Sequence, residues 1–146
     1  MEKQLMGAGR TWEKEFPYIA GALGKPAPWT EIAKVKGGTL IFIAGQTAWD
    51  DTARVITSGH MPSQAEQAYK NVKDALKAAG AAVSDIVFER VYTPDMEAFK
   101  KEGMPVRGKF YADAGVTTIP PFTLIGVDRL ALKDFMLEVE VIAAVE

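Results

Sequence analysis

The run FMLEVEVIAAVE at residues 135–146 constrains the fold more than any other stretch of the chain. Its residues alternate with the period of two that is typical of a β-strand. One face carries Met136, Glu138, Glu140 and Ile142, and the opposite face is entirely apolar. Because a buried carboxylate is costly unless it is paired or neutral, the two glutamates need partners or a function.

The clearest helical pattern follows Pro62. Apolar or small residues recur at helical spacing from Ala65 to Ala79, while lysines and an aspartate occupy the other side. Pro62 near the start and Gly80 at the end match the usual preferences at helix boundaries. The pattern therefore predicts an amphipathic helix that packs on a sheet.

A second helix is predicted from Met96 to about Asp113. Gly103 and Pro105 lie inside this segment. Proline has no backbone N–H to donate and clashes with the preceding turn, so we expect the helix to break or kink there.

Strand-like runs surround the two helices. The run at 39–44 is apolar on both faces and predicts a central strand, joined to a run at 31–36 by a hairpin turn around Gly37-Gly38. Further runs lie at residues 54–58, 84–93 and 122–130. The order β-β-(β)-α-β-α-β-β predicts an α+β fold with a mixed sheet. We expect residues 1–27 to be an irregular arm or extension and residues 28–146 to be one domain.

Composition excludes several classes of site. The 146 residues include no cysteine, which excludes disulfides, thiolate metal sites and a cysteine nucleophile. The single histidine, His60, cannot build a histidine-rich metal site within one subunit, and we expect it to be surface or helix-cap material. No Ser-His-Asp set, P-loop or dinucleotide-binding motif is supported. We therefore expect neither metal nor cofactor.

Charge and hydropathy bear on partners. The chain has 17 basic and 19 acidic residues, a net charge of -2, and no block of lysine and arginine. This argues against nucleic acid as a partner. No apolar run approaches the length of about 18 residues that a membrane span needs, so we expect no membrane partner and a cytoplasmic location.

Four segments together resemble the RidA/YjgF family of enamine and imine deaminases. They are GGTLIFIAGQTAWD, QAEQAYKNVKDALKAAGAAVSDIV, VYTPDMEAF and LEVEVIAAV. They occur in the family's order over roughly residues 28–146, with the spacing of Gln64, Asn71, Gly80 and Asp85 intact.

The resemblance implies a chorismate-mutase-like subunit in which two helices pack on one face of a six-stranded sheet. It also implies a homotrimer with clefts between neighbouring subunits. Well-studied members of the family hydrolyse enamines and imines to keto acids and ammonia without a metal or cofactor. Others bind small ligands, act in the breakdown of aromatic compounds, or have been called endoribonucleases.

The chain departs from the family pattern at three positions that the resemblance places in the cleft. Deaminases of the family carry P-x-R before the penultimate strand, and the arginine grips the substrate carboxylate. Phe122 stands at the arginine's position, Trp29 replaces a tyrosine and Ala44 replaces a serine. These changes predict a more aromatic, less polar cleft and weak activity on 2-aminoacrylate-type imines.

Glu138 matches the family carboxylate that holds or activates the attacking water, so it is our candidate catalytic residue. The alternative is a structural ion pair or a capping role. The resemblance also suggests that Gly45 and the backbone at Thr123 and Leu124 bind substrate oxygen atoms. We expect Glu140 to be a structural partner in an ion pair between subunits.

Arg90 is a candidate substitute for the missing family arginine, because it shares a strand face with Phe88 and Tyr92. The alternative is a salt bridge to Glu138 or Glu140. Arginines 107 and 129 are weaker candidates that we expect to be solvated.

Two hypotheses about function follow. The first is a hydrolase or deaminase-like enzyme of small-molecule metabolism that acts on a small imine, enamine or unsaturated metabolite, such as one from an aromatic pathway. The second is a trimer that binds a small ligand without chemistry. RNA cleavage is disfavoured by the net charge.

Overall fold

The structure is a computed structural model that describes residues 1–6 and 30–146. The strands within those residues are β1 (Glu2–Met6), β2 (Ile32–Lys36), β3 (Thr39–Gln46), β4 (Ile86–Thr93), β5 (Phe122–Gly126) and β6 (Glu138–Val145). The helices are α1 (Met61–Ala78) and α2, which spans residues 96–113 in the three segments Met96–Ala98, Phe99–Gly103 and Met104–Asp113. The Trp29 position lies outside the described residues.

The main sheet has four strands in the order β3-β6-β4-β5. Strand β6 is antiparallel to both neighbours, whereas β5 runs parallel to β4, so the sheet is mixed. Along β6 the apolar residues Val139, Val141 and Ala143 are buried and join the core that α1 and α2 cover. The structure confirms the α+β class, with two helices packed on one face of a mixed sheet.

The N-terminal strands correct two expectations. Residues 2–6 form β1 rather than irregular chain, and β1 pairs with β2 in a separate two-stranded sheet. Strands β2 and β3 therefore do not form the expected hairpin, although Gly37 and Gly38 do turn the chain with φ of 74° and 78°. A side chain at Gly38 would also overlap the carbonyl of Val145. Six described strands are thus divided between two sheets.

The expected strand at residues 54–58 is reduced to a single bridge. Val55 pairs with Trp49 alone, and Thr57 has a positive φ of 42° that is incompatible with an extended strand.

The motif residues on α1 hold loops in place. His60 caps the helix by accepting a hydrogen bond from the Ser63 N–H, which confirms the expected capping role. Gln64 is buried, donating to the Asp134 carbonyl at 2.7 Å and accepting from the Met136 N–H at 2.8 Å. This pair of hydrogen bonds fixes the approach of the chain to β6.

Asn71 holds another loop in the same way, two turns further along α1. Its side-chain amide donates to the carbonyls of Thr47 and Trp49, both at 2.9 Å. The segment that follows β3 is thereby attached to α1. Gly80 has a φ of 75° just beyond α1, and Asp85 accepts from the Ala82 N–H, so these two motif positions shape the turn into β4.

Helix α2 does not break at Gly103 and Pro105. A π-helical turn over Phe99–Gly103 takes the place of the expected break, and Pro105 lies in the first turn of the α-helical segment that follows. The absence of a side chain at Gly103 makes room for the Phe99 ring, which any Cβ at this position would overlap.

A buried ion pair connects α2 to the sheet and corrects the expectation that Arg107 is solvated. Arg107 is 1% exposed, and its Nε donates to Glu89 Oε2 at 2.8 Å. Its Nη2 lies 2.7 Å from the same oxygen without hydrogen-bond geometry. Tyr69 Oη donates to Glu89 Oε1 at 2.6 Å, and Tyr111 Oη donates to Oε2 at 3.0 Å. The Arg107 guanidinium also lies 4.0 Å from the centre of the Phe122 ring.

The charge state of this network follows from its burial. Burial and the Glu89 charge raise the pKa of both Tyr69 and Tyr111 well above the usual range. Burial, the largest single effect, opposes the Arg107 charge, but the Glu89 carboxylate and the two tyrosine hydroxyls together outweigh it and raise the pKa of Arg107. Arg107 therefore stays charged, and the two phenols stay protonated as donors.

Replacing Gln64 with leucine should lower the free energy of unfolding by about 2–4 kcal/mol, because two buried backbone groups lose their partners. Urea denaturation followed by circular dichroism measures this. The control is Gln4→Leu, the same exchange at an exposed position of β1. Equal stabilities of the two variants would contradict the role of Gln64.

The single substitution Arg107→Met should lower the free energy of unfolding by about 3–5 kcal/mol, because it leaves Glu89 buried and unpaired. Adding Glu89→Gln should recover part of that loss, since the neutral amide leaves no buried charge unpaired and its oxygen still accepts from one of the two tyrosines. Denaturation of the single and double variants tests this, and a double variant less stable than Arg107→Met would refute it.

Candidate functional site

Helices α1 and α2, the two long helices of residues 30–146, cover only one face of the main sheet. Residues in register on neighbouring strands share a face, and β6 carries Glu138, Glu140 and Ile142 opposite Tyr92, Arg90 and Phe88 of β4. These residues are half-buried, whereas the intervening residues of both strands are mostly fully buried. We call this second surface the open face. Phe42 of β3 continues it and is 72% exposed.

Glu138 lies where the edge of the open face is irregular. Strand β3 has two residues, Ala44 and Gly45, where β6 has one, so a β-bulge interrupts the ladder between Ile43 and Gln46. The Glu138 carboxylate lies directly over Gly45, and any side chain there would overlap it. Among residues 1–6 and 30–146, Glu138 has neither an ion pair nor a hydrogen bond. The glycine therefore makes room for an unpartnered carboxylate.

Glu140, two residues along the same face, has partners. Arg90 Nη1 donates to its Oε1 at 2.6 Å, and Tyr92 Oη donates to its Oε2 at 3.1 Å. The structural role expected for Glu140 is confirmed, although its partner belongs to the same chain rather than to another subunit. The salt-bridge alternative for Arg90 is likewise what the structure shows.

Tyr92 is a residue that the sequence did not single out for the site. It lies in register with Glu138, and burial together with the hydrogen bond to Glu140 raises its pKa. Its position could have been found only from the pairing register of β4 and β6, which a single sequence does not reveal.

The positions on β5 are divided between the two faces. Phe122 is in register with Glu89, on the helix-covered side, and its ring stacks on Arg107. Leu124 also packs against the core, whereas Thr123 between them is exposed. Strand β5 thus presents the Thr123 side chain to the open face, while the Phe122 side chain lies in the core.

The structure unites some of the predicted site residues and separates others. Glu138 and Gly45 are in contact, and Arg90 lies on the same face. Ala44 is exposed in the bulge next to Gly45. Phe122 lies across the sheet from Glu138.

No group of three or more potential metal-ligating side chains occurs within the described residues. No helix among residues 30–146 is both long enough and apolar enough to cross a bilayer.

Comparison with known proteins identifies relatives along almost the whole chain. A family model described as endoribonuclease L-PSP matches residues 20–145. A RutC family protein of Pyrococcus horikoshii is 34% identical over 130 residues, which cover 89% of this chain and 97% of that protein. The human 2-iminobutanoate/2-iminopropanoate deaminase is 27% identical over 124 residues, or 78% of this chain and 86% of the enzyme.

Solved structures show the same fold. A Rid family protein from Yersinia pestis superposes with a TM-score of 0.80 at 24% identity, covering 99% of this chain and 100% of that one. TdcF of Escherichia coli, crystallised with bound serine, superposes with a TM-score of 0.67 at 30% identity, covering 77% and 85%. The family match, the sequence relatives and the shared fold agree. The chain belongs to the RidA/YjgF family, which the endoribonuclease L-PSP model describes.

Proposed function

We propose that the protein is a hydrolase of a small imine or enamine, that it acts as a homotrimer, and that Glu138 orients the attacking water. The observation that carries this proposal is the Glu138 carboxylate, which lies over Gly45 without an ion pair or hydrogen bond from residues 1–6 and 30–146, while the neighbouring Glu140 is neutralised by Arg90. The deaminase activity named for the human and mite relatives, each 24–27% identical, supports the reaction class.

The proposed chemistry is the hydrolysis of a C=N bond. Glu138 accepts a hydrogen bond from water and takes its proton as the oxygen attacks the imine carbon. Attack on the protonated imine gives a neutral carbinolamine. Glu138 then returns its proton to the nitrogen, the C–N bond breaks to release ammonia, and the hydroxyl loses its proton to leave a carbonyl group. Backbone groups at Gly45, where the bulge interrupts the regular ladder, bind substrate oxygen atoms on the Glu138 side of the cleft, and backbone groups at Thr123 and Leu124 bind other substrate oxygen atoms at the opposite edge of the sheet.

The open face supports the trimer. Phe42 is 72% exposed and Leu40 is 50% exposed, and both lie on β3 at the edge of the main sheet. Large apolar side chains grouped on one sheet face mark an interaction surface. We propose that other copies of the chain cover it and that each cleft lies where Glu138 meets a neighbouring subunit.

A second candidate is a trimer that binds a ligand in the same clefts without chemistry. The observation that favours it is the placement of Phe122, which stands where relatives carry the substrate-binding arginine and packs on Arg107 in the core. In the hydrolase Glu138 takes a proton from water, whereas in the binding protein Glu138 only contacts the ligand.

Replacing Glu138 with glutamine should lower kcat for imine hydrolysis by about 100-fold or more, because the amide cannot take the proton from water. Ammonia release from imines generated in situ measures the rate. The control is Glu102→Gln, the same exchange at an exposed position of α2. Full activity of Glu138→Gln would rule out the proposed role, and absence of turnover by the unaltered protein on every imine tried would favour the binding function.

Replacing Phe42 with aspartate should dissociate the trimer, because a charge would then be buried in the contact between copies. Sedimentation equilibrium measures the mass. Leu132→Asp, at a residue that is 47% exposed outside the main sheet, is the control and should leave the mass unchanged. A Phe42→Asp protein that keeps the mass of three chains would show that the open face is not the interface.

A further inference from the structure

The charges on the open face near Glu138 do not cancel. Glu138 and Glu140 are acidic and Arg90 is basic. The ion pair between Arg90 and Glu140 neutralises both of their charges. The carboxylate left over belongs to Glu138. Among the described residues of β4 and β6, this face therefore carries one net negative charge at the proposed site.

Two arginines could make this face positive, but each is already paired with a glutamate of the same chain. Arg90 would have to give up a 2.6 Å ion pair with Glu140 before it could hold a substrate carboxylate, leaving Glu140 partnered by Tyr92 alone. Arg107 is buried on the helix side of the sheet, where it is paired with Glu89. Phe122, at the position of the family arginine, adds no charge.

The open face also shows how a flat cation can be held. The Arg90 guanidinium lies 5.0 Å from the centre of the Phe88 ring while it pairs with Glu140. A carboxylate beside an aromatic face is a favourable environment for a planar, delocalised cation. Glu138 and the in-register Tyr92 also bring a carboxylate next to an aromatic ring, and no guanidinium of the described residues is paired with Glu138.

We propose that this site selects planar cations: iminium or amidinium groups on substrates that lack a carboxylate. The proposal deepens the function above and rests on it for the location of the site at Glu138. The protonated imine is also the form of a C=N bond that water attacks most readily, so one carboxylate can both bind the cation and accept the proton from water. Imines derived from amino acids carry a carboxylate that Glu138 would repel.

A matched pair of stable ligands tests the charge preference without turnover. Benzamidine, a planar cation at neutral pH, and benzoate have the same shape and opposite charge. We expect calorimetry to show benzamidine binding at least about tenfold more tightly than benzoate, because like charges in a partly desolvated site repel. Glu138→Gln should remove most of that difference, and Glu102→Gln should not. Benzoate binding as tightly as benzamidine, or benzamidine binding unaffected by Glu138→Gln, would overturn the proposal.

The variant Glu140→Gln tests the reason for the preference. It should free the Arg90 guanidinium and raise the affinity for benzoate about tenfold, since a charge-assisted hydrogen bond becomes available to an anion. Adding Arg90→Gln to this variant should cancel the gain. Unchanged benzoate affinity in Glu140→Gln would show that the ion pair does not set the preference, and the charge argument would fail.

Turnover separates this proposal from the proposed function. The imine of benzylamine and the imine of phenylglycine, each generated by an oxidase, differ only in the carboxylate. Faster hydrolysis of the benzylamine imine supports both proposals, whereas faster hydrolysis of the phenylglycine imine supports the hydrolase and overturns the charge preference. Hydrolysis of neither imine above the buffer rate, together with tighter benzamidine binding, would keep the preference and reject the hydrolase.

Discussion

The arrangement of this molecule depends on strand β6 being covered on one side only. Val139, Val141 and Ala143 are sealed under the helices, whereas the residues between them lie on the other face, which helices α1 and α2 do not cover and where they are half-buried. A strand with this alternation must lie between an interior and a boundary. The chemistry that we propose depends on this boundary, because the strand can carry the Glu138 and Glu140 carboxylates only on the face that is not packed in the core.

The two glutamates have the same type of side chain and different surroundings. Glu140 faces β4 at a place where an arginine and a tyrosine are in reach, and it becomes part of the sheet's own cross-strand pairing. The Glu138 carboxylate lies over Gly45 in the bulge of β3, and among the described residues it has no ion pair or hydrogen bond. A one-residue irregularity in β3 thus separates a structural carboxylate from the one that we propose to be functional.

Much of the fold could be predicted from the sequence. The ends of α1, the cap at His60, the closing strand and the fold class all follow from local signals: proline and glycine at helix ends, and periods of 3.6 and two. The pairing of β1 with β2 could not, because it joins residues that 23 undescribed positions separate, and no local pattern encodes such a partner. Arg107 was misjudged because its partner Glu89 is on another element, and a charged residue on a helix is ordinarily exposed. For the site, the resemblance to the family predicted Glu138 and Gly45. Only the structure shows the strand register that places Tyr92 opposite Glu138, and the face of the sheet on which Phe122 lies.

The π-helical turn in α2 has a consequence for the charge beneath it. A π turn closes its hydrogen bonds over one residue more than an α turn. Deleting one residue from Phe99–Gly103 would restore a regular helix and rotate everything beyond it by about 100°. The Arg107 side chain would then point away from Glu89, and the buried ion pair would be lost. The extra residue of the π turn therefore sets the direction in which the side chain of residue 107 points. A change in the length of this segment would require a different residue at position 107.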